Sequence, residues 1–360
     1  MTDLATRDGE STATPDALRE ERRRRMSPRD KWRRFTYRFT PYLYISPFFI
    51  IFAVVGLFPL AFTAFVSFYD WRLTTQSVDD ATFIGLQNYS DVLFGNAVFW
   101  TSLANTFSIF LISTIPQIII ATFIAVMLDR NLRAKTFWRM GVLLPYVVAP
   151  VAIAIIFSAI FRDPTQGGLM NSLLELVGLD PVNWKSDRIP SHIAIALMVN
   201  FRWTGYNALI LLAAMQAVPR DLYEAAALDG AGAMRRFFSV TLPSIRGTMI
   251  FVVITATMGG LRIFDEVRMY DPRPGSVGGP GGIFRTVVLY MYDTGFNGAK
   301  GDLGKASAIA WLLFFIILIF AGLNFWLSGR IATDGSGKKV SKRQLRREAA
   351  AIVNEQEGAR

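Results

Sequence analysis

The sequence predicts an all-α polytopic membrane protein with six transmembrane helices and a polar helix-turn-helix loop between the fourth and fifth. Three observations predict it. Of 360 residues, 52% are hydrophobic, 29 are Phe, and the mean hydropathy is +0.33, a composition foreign to an ordinary soluble domain. Six apolar stretches lie near residues 43–67, 105–128, 140–161, 192–216, 247–264 and 306–327. Each reaches the ~20 residues that a helix needs to cross a hydrocarbon core about 30 Å thick. Between the fourth and fifth stands "EAAALDGAGAMRRFFSVTLP", Glu224 to Pro243, polar and small where contact with lipid would demand neither.

Taken in order, residues 1–40 form a basic arm, "REERRRRMSPRDKWRR" included, expected to be disordered and cytoplasmic. It has no apolar core and cannot serve as a secretory signal, so the first span must direct insertion. The membrane-spanning body runs over 41–330, and a basic tail occupies 331–360. Lys and Arg stay on the cytoplasmic side. The segment to residue 41 holds 11 of them, "DRNLRAKTFWR" (129–139) four, and the chain from 328 eight. The 70–100 connection has one, Arg72, against Asp70, Asp79, Asp80 and Asp91, and is expected outside. Both termini then lie in the cytoplasm, as an even number of spans in a plasma membrane requires.

The outer connections are 68–104, 162–191 and 265–305, and the second contains "MNSLLELVGL", whose Leu173, Leu174 and Val177 have helical spacing and predict a short interfacial helix. Pro41, Pro47, Pro59, Pro116, Pro145 and Pro150 fall within or beside spans and predict bends. No internal repeat is visible, which argues against a transporter built from two inverted halves in one chain.

Several chemistries are excluded. Cysteine is absent, so disulfides, thiolate metal sites and cysteine nucleophiles are too. His192 is the single histidine and cannot build a zinc site; at the outer end of the fourth span it reads as an interfacial residue. The nearest approach to a phosphate-cradling loop, "ATDGSGKK" (332–339), lacks the first Gly, offers Lys339 in place of the hydroxyl that binds Mg²⁺, and follows a span rather than a strand. Nucleic acid is not an expected partner, since the net charge of +10 gathers beside membrane ends without an aromatic-interleaved patch.

The loop at about 219–243 reads as a helix, a bend and a helix. Pro219 fixes the start, Asp221 stands where a capping carboxylate is favoured, and "DLYEAAAL" is a strong helix former. Gly230 and Gly232 break it, "AMRRFFSV" makes the second helix, and Pro243 is expected to stop that one. Ala225, Ala226 and Gly230 leave a surface without bulk, which another protein's backbone can approach.

This stretch resembles the cytoplasmic signature of ABC-importer permeases: Glu224-Ala225-Ala226, then Gly230, then Val240, Leu242 and Pro243, with Val where the family has Ile. "IGLQNYSDVL", "LLPYVVAPVAIAIIFSAIF", "WTGYN" and "GKASAIAWLLFFIIL" fall in the order seen in the sugar (maltose-type) members, over about residues 40–330. Two features depart: "YDPRPGSVGGPGG" (270–282) is longer than its counterpart and carries Arg273, and Gly247 stands where Pro is common.

The resemblance implies a type I importer fold in which Glu224, Ala225, Ala226, Asp229, Gly230, Leu242 and Pro243 form the loop that docks on an ATPase. It also implies a second permease subunit, two ATPase subunits and an extracytoplasmic solute-binding protein as partners, besides membrane lipid. No cofactor is expected in this chain; ATP and Mg²⁺ belong to the partner ATPase. The implied cargo is a sugar, a di- or oligosaccharide, with a glycerol-phosphate permease as a close alternative. An ion-driven secondary transporter is disfavoured by the missing repeat and the scarcity of intramembrane acids.

Arg202, in "MVNFRWTGYN", lies some ten residues into the fourth span, about 15 Å deep at 1.5 Å per residue. A charge at that depth must face protein or water. At about 100° per residue, Asn200, Trp203, Thr204 and Asn207 are expected on one side, with Arg202 and Tyr206 opposite. Asn200, Trp203 and Asn207 are the candidates for a sugar path, since a ring can stack on a sugar's C–H face while an amide bonds its hydroxyls. The alternative is that both faces are structural, binding carbonyls of broken helices or the partner permease.

Overall fold

The computed structural model describes residues 28–72, 81–95, 97–130, 132–273, 275–296 and 301–333. The chain divides into two compact units, Met1–Phe65 and Val66–Arg360.

The first unit is one helical run: α1 (Pro28–Ile51), a π turn over Phe52–Leu57, and α2 from Phe58, which ends at Val66. Its apolar part, Phe35–Val66, is long enough to span a membrane. Of the arm expected to be disordered over 1–40, residues 28–40 are helical; residues 1–27 lie outside the described ones. The reason is an aromatic ladder that composition hid beneath the arginines. Trp32, Phe35, Phe39 and Tyr42 recur at helical spacing, with Phe35 and Phe39 rings 4.1 Å apart.

In the second unit, β1 (Tyr69–Asp70) and β2 (Thr82–Phe83) pair antiparallel and lead to α3 (Gln87–Phe94). Next, α4 (Ala97–Asp129) runs through Pro116 without a break. Its buried residues include Ser102, Asn105, Thr106, Ser113, Thr114 and Gln117, whereas Leu111, Ile115, Ile119 and Phe123 are exposed. A helix that is polar inward and apolar outward is made for lipid, where interhelical contact rests on small and polar side chains.

The third span is broken. α5 (Lys135–Val147) and α6 (Pro150–Ile160) meet at 87°. Val148 and Ala149 are extended, the conformation that a following proline imposes on Ala149, and Pro150 starts the new helix where its missing N–H costs nothing. α7 (Leu169–Leu176) is the short helix foreseen in the outer connection. Then α8 (Arg188–Gln216) crosses the body and packs along α4. Its Gly205 permits a close crossing with α5, because a Cβ there would collide with the Val142 carbonyl.

After α8 come α9 (Arg220–Leu228), α10 (Ala233–Arg236), a π turn over Phe237–Thr241, α11 (Leu242–Ser244) and α12 (Arg246–Gly260). The stretch Ala233–Ser244 meets α12 at 74°. Pro243 therefore does not stop the second helix; it sits in the first turn of α11, where proline is tolerated, and the bend falls at Ile245. α13 (Asp265–Tyr270), α14 (Val287–Phe296) and α15 (Leu303–Thr333) complete the described residues. Among the described residues, four helices and two bent pairs are long and apolar enough for up to six crossings. Residues 334–339 of "ATDGSGKK" lie outside the described ones.

Candidate functional site

The loop between α8 and α12 is an exposed elbow. Glu224, Ala225, Asp229, Gly230 and Pro243 are exposed, while Ala226 and Leu242 are partly buried. Gly230 has φ of +76°, and a Cβ there would meet nothing within 4 Å. Its glycine is demanded by backbone conformation, not by crowding. The Gly230 N–H donates to the Ala227 carbonyl (3.0 Å) and the Ala231 N–H to the Ala226 carbonyl (2.9 Å), the paired bonds that close a helix with a left-handed residue. Asp221 lies in the first turn of α9, but Pro219 is the N-cap and no side chain caps it. The carboxylate acts there only through the helix dipole. Tyr223 OH and Thr241 Oγ1, 3.1 Å apart, tie α9 to the π turn. Leu228 and Met234, 90% and 72% exposed, stand at the turn with no apolar cover.

The second feature is a cavity of about 330 Å³ inside the helical body. α8 supplies Val199, Arg202, Trp203, Tyr206 and Asn207; α4 supplies Thr114 and Gln117; the rest comes from the end of α12 through Glu266 of α13. Arg202 is midway along α8. Its Nη1 lies 3.5 Å from Glu266 Oε1, and its guanidinium lies 5.1 Å from the Trp203 ring centroid. Asn207 Nδ2 donates to Gln117 Oε1 at 3.3 Å. Tyr146 of α5 stacks on Tyr206, with centroids 4.7 Å apart, and meets Trp203 edge-on.

The two-sided reading of α8 is corrected by this geometry. Arg202 and Tyr206 are not opposite Trp203 and Asn207 but line the same cavity with them. Positions 199, 202, 203, 206 and 207 follow the i, i+3, i+4, i+7, i+8 pattern of a single stripe. Asn200 lies off that stripe and does not line the cavity; its Oδ1 is buried without a hydrogen-bond partner among the described residues. Sequence reasoning missed Glu266 and Gln117. The signal for Gln117 was a lone amide within an apolar run; Glu266 carried none beyond its place just after the fifth one.

His192 is also corrected. It is fully buried, with one ring nitrogen 2.8 Å from Ser108 Oγ and the other 2.9 Å from the Ile283 carbonyl. Asn105 Nδ2 reaches the Gly282 and Arg285 carbonyls at 2.9 and 3.1 Å, so α4 and α8 together hold the glycine-rich turn at 278–285. At Gly279 a Cβ would strike the Phe284 ring.

Beyond the long helices, a polar cluster joins the 162–191 and 265–305 connections. Asp163 accepts from the Lys185 backbone N–H (2.7 Å) and the Ser186 hydroxyl (2.6 Å), and Lys185 Nζ donates to Ser158 Oγ (2.7 Å). Burial pushes the Lys185 ammonium below its ordinary range and Tyr270 above its own. Burial alone would raise the Asp271 carboxyl, but hydrogen bonds from Arg273 (2.6 and 2.8 Å) and Ser276 (2.6 Å) hold it below the ordinary carboxylate range. The departing Arg273 of the long 270–282 segment thus serves as the partner of Asp271.

Comparison with known proteins places this geometry. The arabinooligosaccharides transport system permease protein AraP of Halalkalibacterium halodurans is 32% identical over 290 residues, 80% of this chain and 87% of its own length. The trehalose/maltose transport system permease protein MalF of Thermococcus litoralis is 33% identical over 294 residues, 82% of this chain and 92% of its own. The lactose transport system permease protein LacF of Rhizobium radiobacter is 30% identical over 288 residues, 79% and 92%. Among solved structures, a chain of a bacterial alginate ABC transporter in complex with an alginate pentasaccharide-bound periplasmic protein superposes with a TM-score of 0.69 at 19% identity, covering 83% of this chain and 97% of that one. It shares the fold. Residues 98–333 match the family described as the inner membrane component of binding-protein-dependent transport systems. With that match over most of its length, and relatives above 30% identity over four-fifths of it, the chain belongs to that family of transport-system membrane components.

Proposed function

We propose that this chain is one of two permease subunits of an ATP-driven importer for a sugar, a di- or oligosaccharide, in the plasma membrane with both termini cytoplasmic. The observation that carries it is the agreement of relatives 30–33% identical over about four-fifths of the chain, which are named for arabinooligosaccharides, trehalose or maltose, and lactose. The cavity is consistent in chemistry: Trp203 and Tyr206 offer ring faces, and Gln117, Asn207 and Arg202 offer hydrogen bonds, the mixture that a ring with apolar faces and many hydroxyls can use. Asn200 is left out of this path.

ATP is hydrolysed, on this reading, by two separate ATPase subunits that bind it with Mg²⁺. An extracytoplasmic solute-binding protein delivers the sugar, and a second permease completes the path. The elbow is the coupling element: Glu224, Ala225, Ala226, Asp229 and Gly230, with Leu242 and Pro243 behind them, dock on the ATPase. The exposed Leu228 and Met234 give that contact apolar area.

The test is to purify the tagged full chain from its native membrane and reconstitute what accompanies it with ATP inside. An ATPase and a second permease should co-purify, and arabinotriose or maltose should enter only with the binding protein outside. Gly230→Trp, which adds bulk on an exposed surface, should still insert but lose the ATPase. A chain that purifies alone and transports without ATP would refute the importer reading.

A further inference from the structure

The cavity carries charge of both signs in equal measure: Arg202 and Arg262 against Asp265 and Glu266, a sum of zero. Arg262 and Asp265 are exposed, whereas Arg202 and Glu266 are 19% and 8% exposed at their side chains. The inner pair is loose. Nη1 and Oε1 stand at 3.5 Å, the outer limit of a hydrogen bond, and Arg202 Nε is buried with no partner among the described residues. A guanidinium has five donors and a carboxylate about four acceptor sites, so both keep capacity for a ligand. Neither is placed to swing away, since Arg202 lies over Trp203 and Glu266 is buried in a short helix.

Such a pair is poorly set for an anion. A carboxylate that reached Arg202 would also come within a few ångströms of Glu266, and like charges that close oppose one another strongly where water is scarce. A neutral diol suits it. One hydroxyl accepts from Arg202, its neighbour donates to Glu266, and the ring's C–H face lies on Trp203. We infer that Arg202 and Glu266 are the specificity-determining pair of the cavity, admitting uncharged saccharides and rejecting those that carry carboxylates. This rests on the saccharide reading above.

The test uses the purified complex of the full chain with its partner permease and ATPase, without the solute-binding protein, so that the selection measured belongs to the membrane subunits. Radiolabelled arabinotriose and trigalacturonate are the probes. The wild-type complex should bind arabinotriose at least tenfold more tightly. Glu266→Gln should tighten trigalacturonate tenfold or more and weaken arabinotriose, whereas Arg202→Gln should weaken arabinotriose and leave trigalacturonate excluded. Equal affinity of the wild-type complex for both probes overturns the inference and needs no variant. An unchanged ratio in a properly assembled Glu266→Gln complex overturns it as well. Binding of neither probe by any form overturns the saccharide reading itself, and the inference with it.

Discussion

Gly205 and Gly141 lie on neighbouring helices, and the structure assigns them opposite responses to one methyl group. At Gly205 a Cβ would collide with the Val142 carbonyl oxygen and lie 2.7 Å from its carbon and 3.1 Å from Val142 Cγ1; at Gly141 it would meet nothing within 4 Å. Carbon pairs prefer about 3.5–4.0 Å. α5 must therefore retreat from α8 by about 1 Å, and the obstacle is backbone that cannot rotate away. Ala gains about 1 kcal/mol over Gly in a helix interior at both sites. Overpacking costs about 1–3 kcal/mol, and a backbone obstacle points to the top of that range. Gly141→Ala should thus stabilise by about 1 kcal/mol, and Gly205→Ala should destabilise by about 2 kcal/mol net.

At about 1–2 °C per kcal/mol for a chain of 360 residues, the two variants should differ by roughly 3–6 °C in melting temperature. Heating the detergent-purified chain and following its monodisperse fraction by tryptophan-detected size exclusion reads that difference. Gly205→Ala melting at or above wild type, or both variants moving together, would refute the close crossing.

Three further outcomes follow from the same geometry. Arg202→Leu leaves Glu266 buried and unpaired and should cost about 3–5 kcal/mol, read as lost yield and a lower melting point; Arg202→Leu/Glu266→Leu should recover much of it, and no recovery would mean the pair is uncoupled. Gly230→Ala should cost about 1–2 kcal/mol of elbow stability because a side chain must sit at positive φ, whereas Gly230→Asn should cost less; equal protease sensitivity of the elbow in both would contradict the assigned conformation. The Asp271 carboxyl is held below its ordinary range, so its contribution is present above the unfolded value near pH 3.9 and is lost as pH falls through the folded one. Asp271→Asn should therefore be less stable than wild type at pH 6 and nearly equal to it in strong acid, and a constant gap across that window would argue against the clamp.

The spans were legible because lipid demands long apolar runs, and the elbow because glycine, proline and charge interrupt one such run. The break at Val148–Ala149 was foreshadowed by Pro150, but its size, 87°, was not. Other features depend on direction, which hydropathy does not encode. His192 looked interfacial because sequence gives its depth along α8 and not its inward turn toward Ser108. The buried polar stripe of α4 was invisible for the same reason, since its few hydroxyls and amides are diluted among aliphatic residues. Arg202 was conspicuous at the centre of α8, whereas its partner lies 64 positions away. The helical arithmetic also misled: residues 202 and 203 differ by about 100°, not by a half-turn, so a broad stripe was read as two faces.

The glycine-rich turn after α13 has a consequence for exchange with solvent. Asn105 and His192 grip its carbonyls, the Val287 N–H donates to Thr106 Oγ1 at 3.0 Å, and the Phe284 N–H donates to the Gly278 carbonyl at 3.0 Å. A segment whose composition suggests a fast-exchanging loop is thus fastened to two membrane helices that belong to other parts of the chain. The amides of Gly282, Phe284 and Arg285 donate to carbonyls of the turn itself and the Val287 amide donates to α4, so all four should exchange slowly with deuterium, Val287 only when α4 lets go. The Val287 amide then serves as a clock for the parting of α4 from this segment, readable with no label introduced.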